Sequence, residues 1–224
     1  MNESKGWEVK IVKMETKGVL SNLDIVKERN NGNVIIEPFN DHQLSNCSYD
    51  VTLGPYYYNP TYNVGLVNPF SKKHVCSYWG KVQEAKVIDD PEEAEMYDVK
   101  VGTKIISIRP NETILAHTNE FIGGKKFITS MMKSRSSMGR ANIAVCKCSG
   151  WGDIGFFNSY TMEITNFSNA KIILPVNCRI AQIVFLYTGL TDKPYKSKYQ
   201  QSDDIEEIMR TWNPEMMLPR GYMD

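Results

Sequence analysis

The densest polar run in the chain is Lys133-Ser134-Arg135-Ser136-Ser137-Met138-Gly139-Arg140, where two guanidiniums, three hydroxyls and a glycine fall within eight residues. These are materials for holding phosphate. An arginine fork pairs bidentately with phosphate oxygens, hydroxyls add short hydrogen bonds, and glycine lets backbone come close. Beyond it lies Gly150-Trp151-Gly152-Asp153-Ile154-Gly155-Phe156-Phe157, a glycine-rich turn around one carboxylate, leading into a strand that carries Glu163 and ends at Asn166. A single strand carboxylate can take a proton from an attacking water and return it to a leaving group. Taken singly, each feature is ordinary: an Arg-Ser-Ser triplet is usually a surface loop and a strand glutamate usually an exposed acid. Their meaning lies in the spacing, Arg140 to Glu163 being twenty-three residues and Asp153 to Glu163 ten.

The elements that must position these groups read as short strands. In Tyr160-Thr161-Met162-Glu163-Ile164-Thr165 successive side chains face opposite ways. Tyr160, Met162 and Ile164 share the apolar face, while Ser159, Thr161, Glu163 and Thr165 share the polar one, so Glu163 points away from the apolar layer. Ile143 to Cys148 shows the same period and predicts a strand with Cys146 and Cys148 on one face, filling core or interface. From Val34 to about Phe185 brief runs of Val, Ile, Thr, Tyr and Phe are broken by Gly, Pro and Asn, the pattern of a compact all-β fold. Short helices are predicted at Ser21–Arg29, with Asp24 in its first turn and Asn31-Gly32 at its end, and at Ser202–Arg210. The acidic stretch Asp89–Glu95 carries a capping Asp and a first-turn proline and starts a solvated surface helix.

At 224 residues the chain can bury roughly 70% of its unfolded surface. One domain spanning 1–224 is expected, with a core of about 34–187 and a C-terminal lid or tail of about 188–224. Lys plus Arg and Asp plus Glu both number 26, so no overall field draws the protein to nucleic acid or an anionic membrane. The N-terminal run MNESKGWEVKIVKMETKG has no apolar core, and five scattered cysteines suggest free thiols. A soluble cytoplasmic protein is expected, in a host's cytoplasm if the gene is viral. Zinc-dependent deamination needs His or Cys two residues before a Glu, and a later Pro-Cys-x-x-Cys; neither is present, and the three histidines, including His117, have structural readings.

The stretch from Arg135 to Phe185 resembles the core of the dCTP deaminase and dUTPase superfamily. Four motifs carry the likeness: Ser136-Ser137-Met138-Gly139-Arg140, Asp153-Ile154-Gly155, Glu163-Ile164-Thr165-Asn166, and Arg179-Ile180-Ala181-Gln182-Ile183-Val184-Phe185. Upstream, Ser48-Tyr49-Asp50-Val51-Thr52-Leu53-Gly54 and Thr118-Asn119-Glu120 are similar to further family segments; downstream, Pro194-Tyr195 and Lys198-Tyr199-Gln200-Gln201 are similar to its C-terminal lid. About three quarters of the chain is covered, leaving out the acidic stretch before Tyr97 and the tail after Gln201. Three departures stand out. Ile154 replaces the turn's usual proline, Asn158 stands where a second glycine is common, and Gln201 follows Lys198 by three residues rather than four.

The resemblance implies a mainly β, distorted jelly-roll subunit (dUTPase-like) with a few short helices, assembled as a homotrimer with shared active sites. It implies hydrolytic deamination of dCTP to dUTP and ammonia, because the deaminase branch has its catalytic glutamate where Glu163 stands and the dUTPase branch usually has an aliphatic residue. Glu163 would be general base and then acid; Arg140 and Ser136 would orient water and carboxylate. Arg135, Ser137, Tyr195, Lys198 and Gln201 would close on the phosphates, Asp153 would accept from the 3′-hydroxyl, and backbone beside Thr161 would read the base. Mg²⁺ would arrive on the triphosphate with no protein ligand, no zinc is expected, and dTTP is a candidate inhibitor. Three alternatives stay open: a bifunctional deaminase and diphosphatase forming dUMP, dUTPase alone, and a catalytically silent nucleotide-sensing trimer.

Overall fold

The structure is a computed structural model that describes residues 18–61, 64–200 and 202–224. Twelve strands follow in chain order: β1 (Val34–Glu37), β2 (Tyr49–Tyr58), β3 (Gln83–Glu84), β4 (Lys86–Ile88), β5 (Thr103–Ile108), β6 (Thr113–Gly124), β7 (Ile128–Ser134), β8 (Ile143–Ala144), β9 (Trp151–Gly152), β10 (Phe157–Asn166), β11 (Ile172–Pro175) and β12 (Arg179–Tyr187). Between and after them lie helices α1 (Asn22–Asn30), α2 (Lys72–Trp79), α3 (Pro91–Met96), α4 (Ser136–Arg140) and α5 (Ile205–Thr211). The fold is mainly β, as the residue pattern led us to expect, and a distorted jelly roll with a few short helices, as the resemblance implied.

The large sheet runs β8-β10-β6-β2-β12-β7-β9, with β1 on β6 and β3 on β2; β11-β5-β4 form a smaller one. Strand β6 is the hub. It pairs antiparallel with β10 along one edge and with β1 and β2 along the other. Register shifts in β2 after Leu53, in β10 after Ser159 and in β12 after Arg179 bend these strands, since an unpaired extra residue kinks a strand and raises its twist. The first has a visible cause: a Cβ on Gly54 would lie 2.2 Å from the His117 ring, so only glycine lets β2 pass there. The apolar faces close over one core that includes Tyr49, Ile106, Ile114, Met162, Ile164, Ile183 and Phe185.

Local sequence signals explain the helix ends. Ser21 and Asp24 form a reciprocal capping box on α1, satisfying two otherwise orphaned donors. Asp90 caps α3 with Pro91 in its first turn, and Asp204 caps α5, whose helical residues start later than Ser202. One expectation is overturned. The strand expected over Ile143–Cys148 stops at Ala144; Val145 and Cys146 are both buried, Lys147 has φ +39°, and Cys148 is exposed, so the two thiols share no strand face. Two helices were not expected: α2, capped by Ser71 and ended by Gly80 at φ +64°, and the short α4. Among the described residues no helix is long and apolar enough to cross a membrane.

Candidate active site

Strand β10 places Glu163 opposite Leu115 of β6, and the alternation turns both away from the core that buries Met162 and Ile164. Glu163 is half-buried, yet its Oε2 is buried with no hydrogen-bond partner among the described residues. Burial pushes its pKa up from the ordinary glutamate value of 4.5, against smaller opposing effects of its own amide and of the Lys147 charge. A carboxyl whose pKa is raised is a stronger base when ionised, and holds its proton more firmly when protonated, than one in water, which suits it to take up a proton and pass it on.

Glu163 lines a cavity of about 460 Å³ together with Asp153, Thr161 and Tyr195, so four of the sequence-predicted site residues come together. The turn before β10 explains the geometry. A Cβ on Gly152 would meet the Tyr160 hydroxyl at 2.1 Å; glycine there lets that hydroxyl bond Ser130 Oγ at 2.7 Å. Gly155, at φ +94°, then turns the chain under Phe156, whose ring packs 5.2 Å from Tyr160 and 5.1 Å from Tyr195. Ile154, the residue in place of the usual proline, accepts from the Tyr195 amide at 2.8 Å.

The C-terminal segment is held by contacts that the sequence did not disclose. Gln200 is buried, accepting from Phe157 N at 2.8 Å and donating to Gly155 O at 2.8 Å. Asn158, the departure from glycine, donates to Tyr199 O at 3.0 Å. Tyr199, Met216, Met217 and Pro219 join the cavity wall. Lys198 does not line it; its ammonium pairs with Asp224. Gln201 lies outside the described residues.

The serine–arginine motif is placed elsewhere. Arg135 is the N-cap of α4, and Ser136, Ser137 and Arg140 are exposed on that helix, none of them lining this cavity. Arg135 Nε instead meets Asp50 Oδ2 at 3.2 Å, and Arg179 reaches the same oxygen at 3.3 Å. Burial raises the Asp50 pKa even against these two cations. His117 is buried, with Nδ1 2.9 Å from Thr118 O and its ring 4.5 Å from Trp212; burial lowers its pKa to about 4.

With this geometry in hand, comparison with known proteins is decisive at the level of family: a profile described as dCTP deaminase-like matches residues 19–188. This chain belongs to the dCTP deaminase-like family. A relative from Methanococcus aeolicus, named dCTP deaminase, dUMP-forming, is 31% identical over 179 residues, 76% of this chain and 84% of its own. A second, from Methanococcus vannielii and named in the same way, is 31% identical over 199 residues, covering 84% and 92%. Among solved structures, the 2′-deoxycytidine 5′-triphosphate deaminase of Agrobacterium tumefaciens aligns with a TM-score of 0.55 at 14% identity, over 77% of this chain. The chain spans about half (49%) of that longer protein, and the match speaks to the fold.

Proposed function

We propose that this member of the dCTP deaminase-like family hydrolyses the exocyclic C4–N bond of dCTP with Glu163 as proton shuttle, and carries the product on to dUMP. The observation behind the first step is Glu163, which lines the cavity, has one buried oxygen with no partner among the described residues, and has its pKa pushed up by burial. In this reading Glu163 takes a proton from water as its oxygen adds to C4, and that proton passes to N3. The second water proton then reaches the amine by way of the same carboxyl, the C4–N bond breaks, and C4=O forms. The balance is dCTP plus water to dUTP plus ammonia.

Asp153 is assigned to the deoxyribose 3′-hydroxyl and backbone beside Thr161 to the base edge; both line the cavity with Glu163. Arg140 and Ser136 are assigned to water and carboxylate across a subunit boundary in a homotrimer, since α4 does not line its own cavity. Arg135, Ser137, Lys198 and Gln201 are assigned to the triphosphate, which brings its own Mg²⁺, and Tyr195 to the lid over it. The second step, dUTP plus water to dUMP plus pyrophosphate, is favoured over a reaction ending at dUTP by the names of the two methanococcal relatives.

Incubation with Mg²⁺ and dCTP, followed by separation of nucleotides and an ammonia assay, tests both steps. Equal ammonia, dUMP and pyrophosphate are expected. Ammonia with dUTP alone removes the second step; consumption of dUTP but not dCTP, or no turnover, overturns the deaminase reading.

A further inference from the structure

The cavity has a second wall that the proton chemistry does not use. Leu115 is the Cα partner of Glu163 across the β6–β10 ladder, so the two side chains stand on one face of the sheet. On that face Leu115, Tyr58 and Met217 form an apolar cluster separate from the main core, with Trp79 of α2 packed against it. Met217 is 4% exposed and comes from the C-terminal segment, outside the residues 19–188 that match the family. It is firmly delivered. Asn213 caps the 3₁₀ turn Pro214–Met217 by accepting from Glu215 N at 3.1 Å, and Trp212 packs on His117 just before it.

We propose that Met217 is a specificity-determining residue: with Leu115 it forms the apolar wall beside Glu163 that receives the C5 edge of the pyrimidine and limits the substituent tolerated there. The chemistry of the ring supports this. C4 is bonded to N3, the exocyclic nitrogen and C5. The two nitrogens exchange protons with the carboxyl, so C5 is the neighbour of C4 that suits a wall with no hydrogen-bonding group. The inference rests on the reading of Glu163 as the group that works at C4.

The test measures ammonia release from dCTP, 5-methyl-dCTP and 5-propynyl-dCTP by the wild type, Met217→Ala and Met217→Val. In the wild type kcat/KM should fall along the series as the substituent grows. Met217→Ala should raise the ratio of kcat/KM for 5-methyl-dCTP to that for dCTP about tenfold, the scale of one methylene in a fitted apolar pocket, and Met217→Val should raise it less. A wild-type series independent of substituent size overturns the wall without need of any variant; so does an unchanged ratio in variants that turn over dCTP. Absence of ammonia from dCTP with the wild type defeats the Glu163 reading itself, and the wall with it.

Discussion

Asp50 and Glu163 are both drawn out of water and both have a pKa raised by burial, but their surroundings differ in kind. At the corner of β2, β12 and α4, Asp50 Oδ2 has two guanidiniums within 3.3 Å. On the β6–β10 face, Glu163 has one oxygen with no partner among the described residues and a cavity in front of it. A buried carboxylate with cations on it has part of the cost of its charge offset and is tied to those partners, whereas one with an unpartnered oxygen has no such tie when a proton donor or acceptor enters. The difference separates an acid that holds the fold together from one available for chemistry.

The sharpest way to break the comparison is to neutralise each acid at constant size. Glu163→Gln is expected to lower ammonia release from dCTP by about 10³-fold, within the range for loss of a general acid–base, with an unchanged circular dichroism spectrum. Asp50→Asn should retain kcat within several-fold and act mainly on KM, through Arg135. Equal losses in kcat would erase the distinction.

A third group extends the logic to a base. His117 is buried, with its pKa lowered to about 4 from 6.5, so the folded chain stays neutral there while the unfolded chain takes up a proton. Stability from this group is complete above pH 6.5 and is lost as pH falls toward 4, on the order of 3 kcal/mol over that window. Urea unfolding of the wild type and His117→Gln between pH 4 and 7 should show a shallower pH slope in the variant; identical slopes would contradict the assignment.

Stability also separates the two acids. Asp50→Ala strands two partly exposed arginines and should cost about 1–3 kcal/mol, below the figure for a fully buried pair. Glu163→Gln should not destabilise at neutral pH. Its raised pKa means that the folded chain holds a proton the unfolded chain has lost, so stability from this group falls as pH rises above 4.5 through the folded value. The amide removes that dependence. This is the smallest effect of the set, read as a thermal midpoint at pH 7 no lower than that of the wild type.

Much of the arrangement around Glu163 was legible because it is local. Alternation in Tyr160–Thr165 put Glu163 on the face away from the core, and Ser21 with Asp24, and Asp90 with Pro91, marked helix starts by hydrogen bonds that span a few residues. Reading failed where a longer-range contact overrode the local pattern. Ile143–Cys148 alternates in type, but the chain turns at Lys147 and buries Val145 and Cys146 in succession. The Ser71 and Gly80 stops around α2 were available and went unread. The partners of Gln200, Asn158 and Met217 were not legible, because each acts through a residue about forty positions away or more, Phe157, Tyr199 and Leu115 respectively.

Glu163, with one buried oxygen that has no partner among the described residues, stands where it can exchange protons in the cavity. Carbon NMR titration of glutamate labelled at its side-chain carboxyl, with the Glu163→Gln spectrum assigning the signal, measures this directly alongside the acid limb of kcat/KM for ammonia release. The Glu163 signal is expected to titrate above pH 4.5, with activity lost as pH falls through that same midpoint. A signal titrating at or below 4.5, or activity that persists unchanged once the carboxyl is protonated, would contradict it.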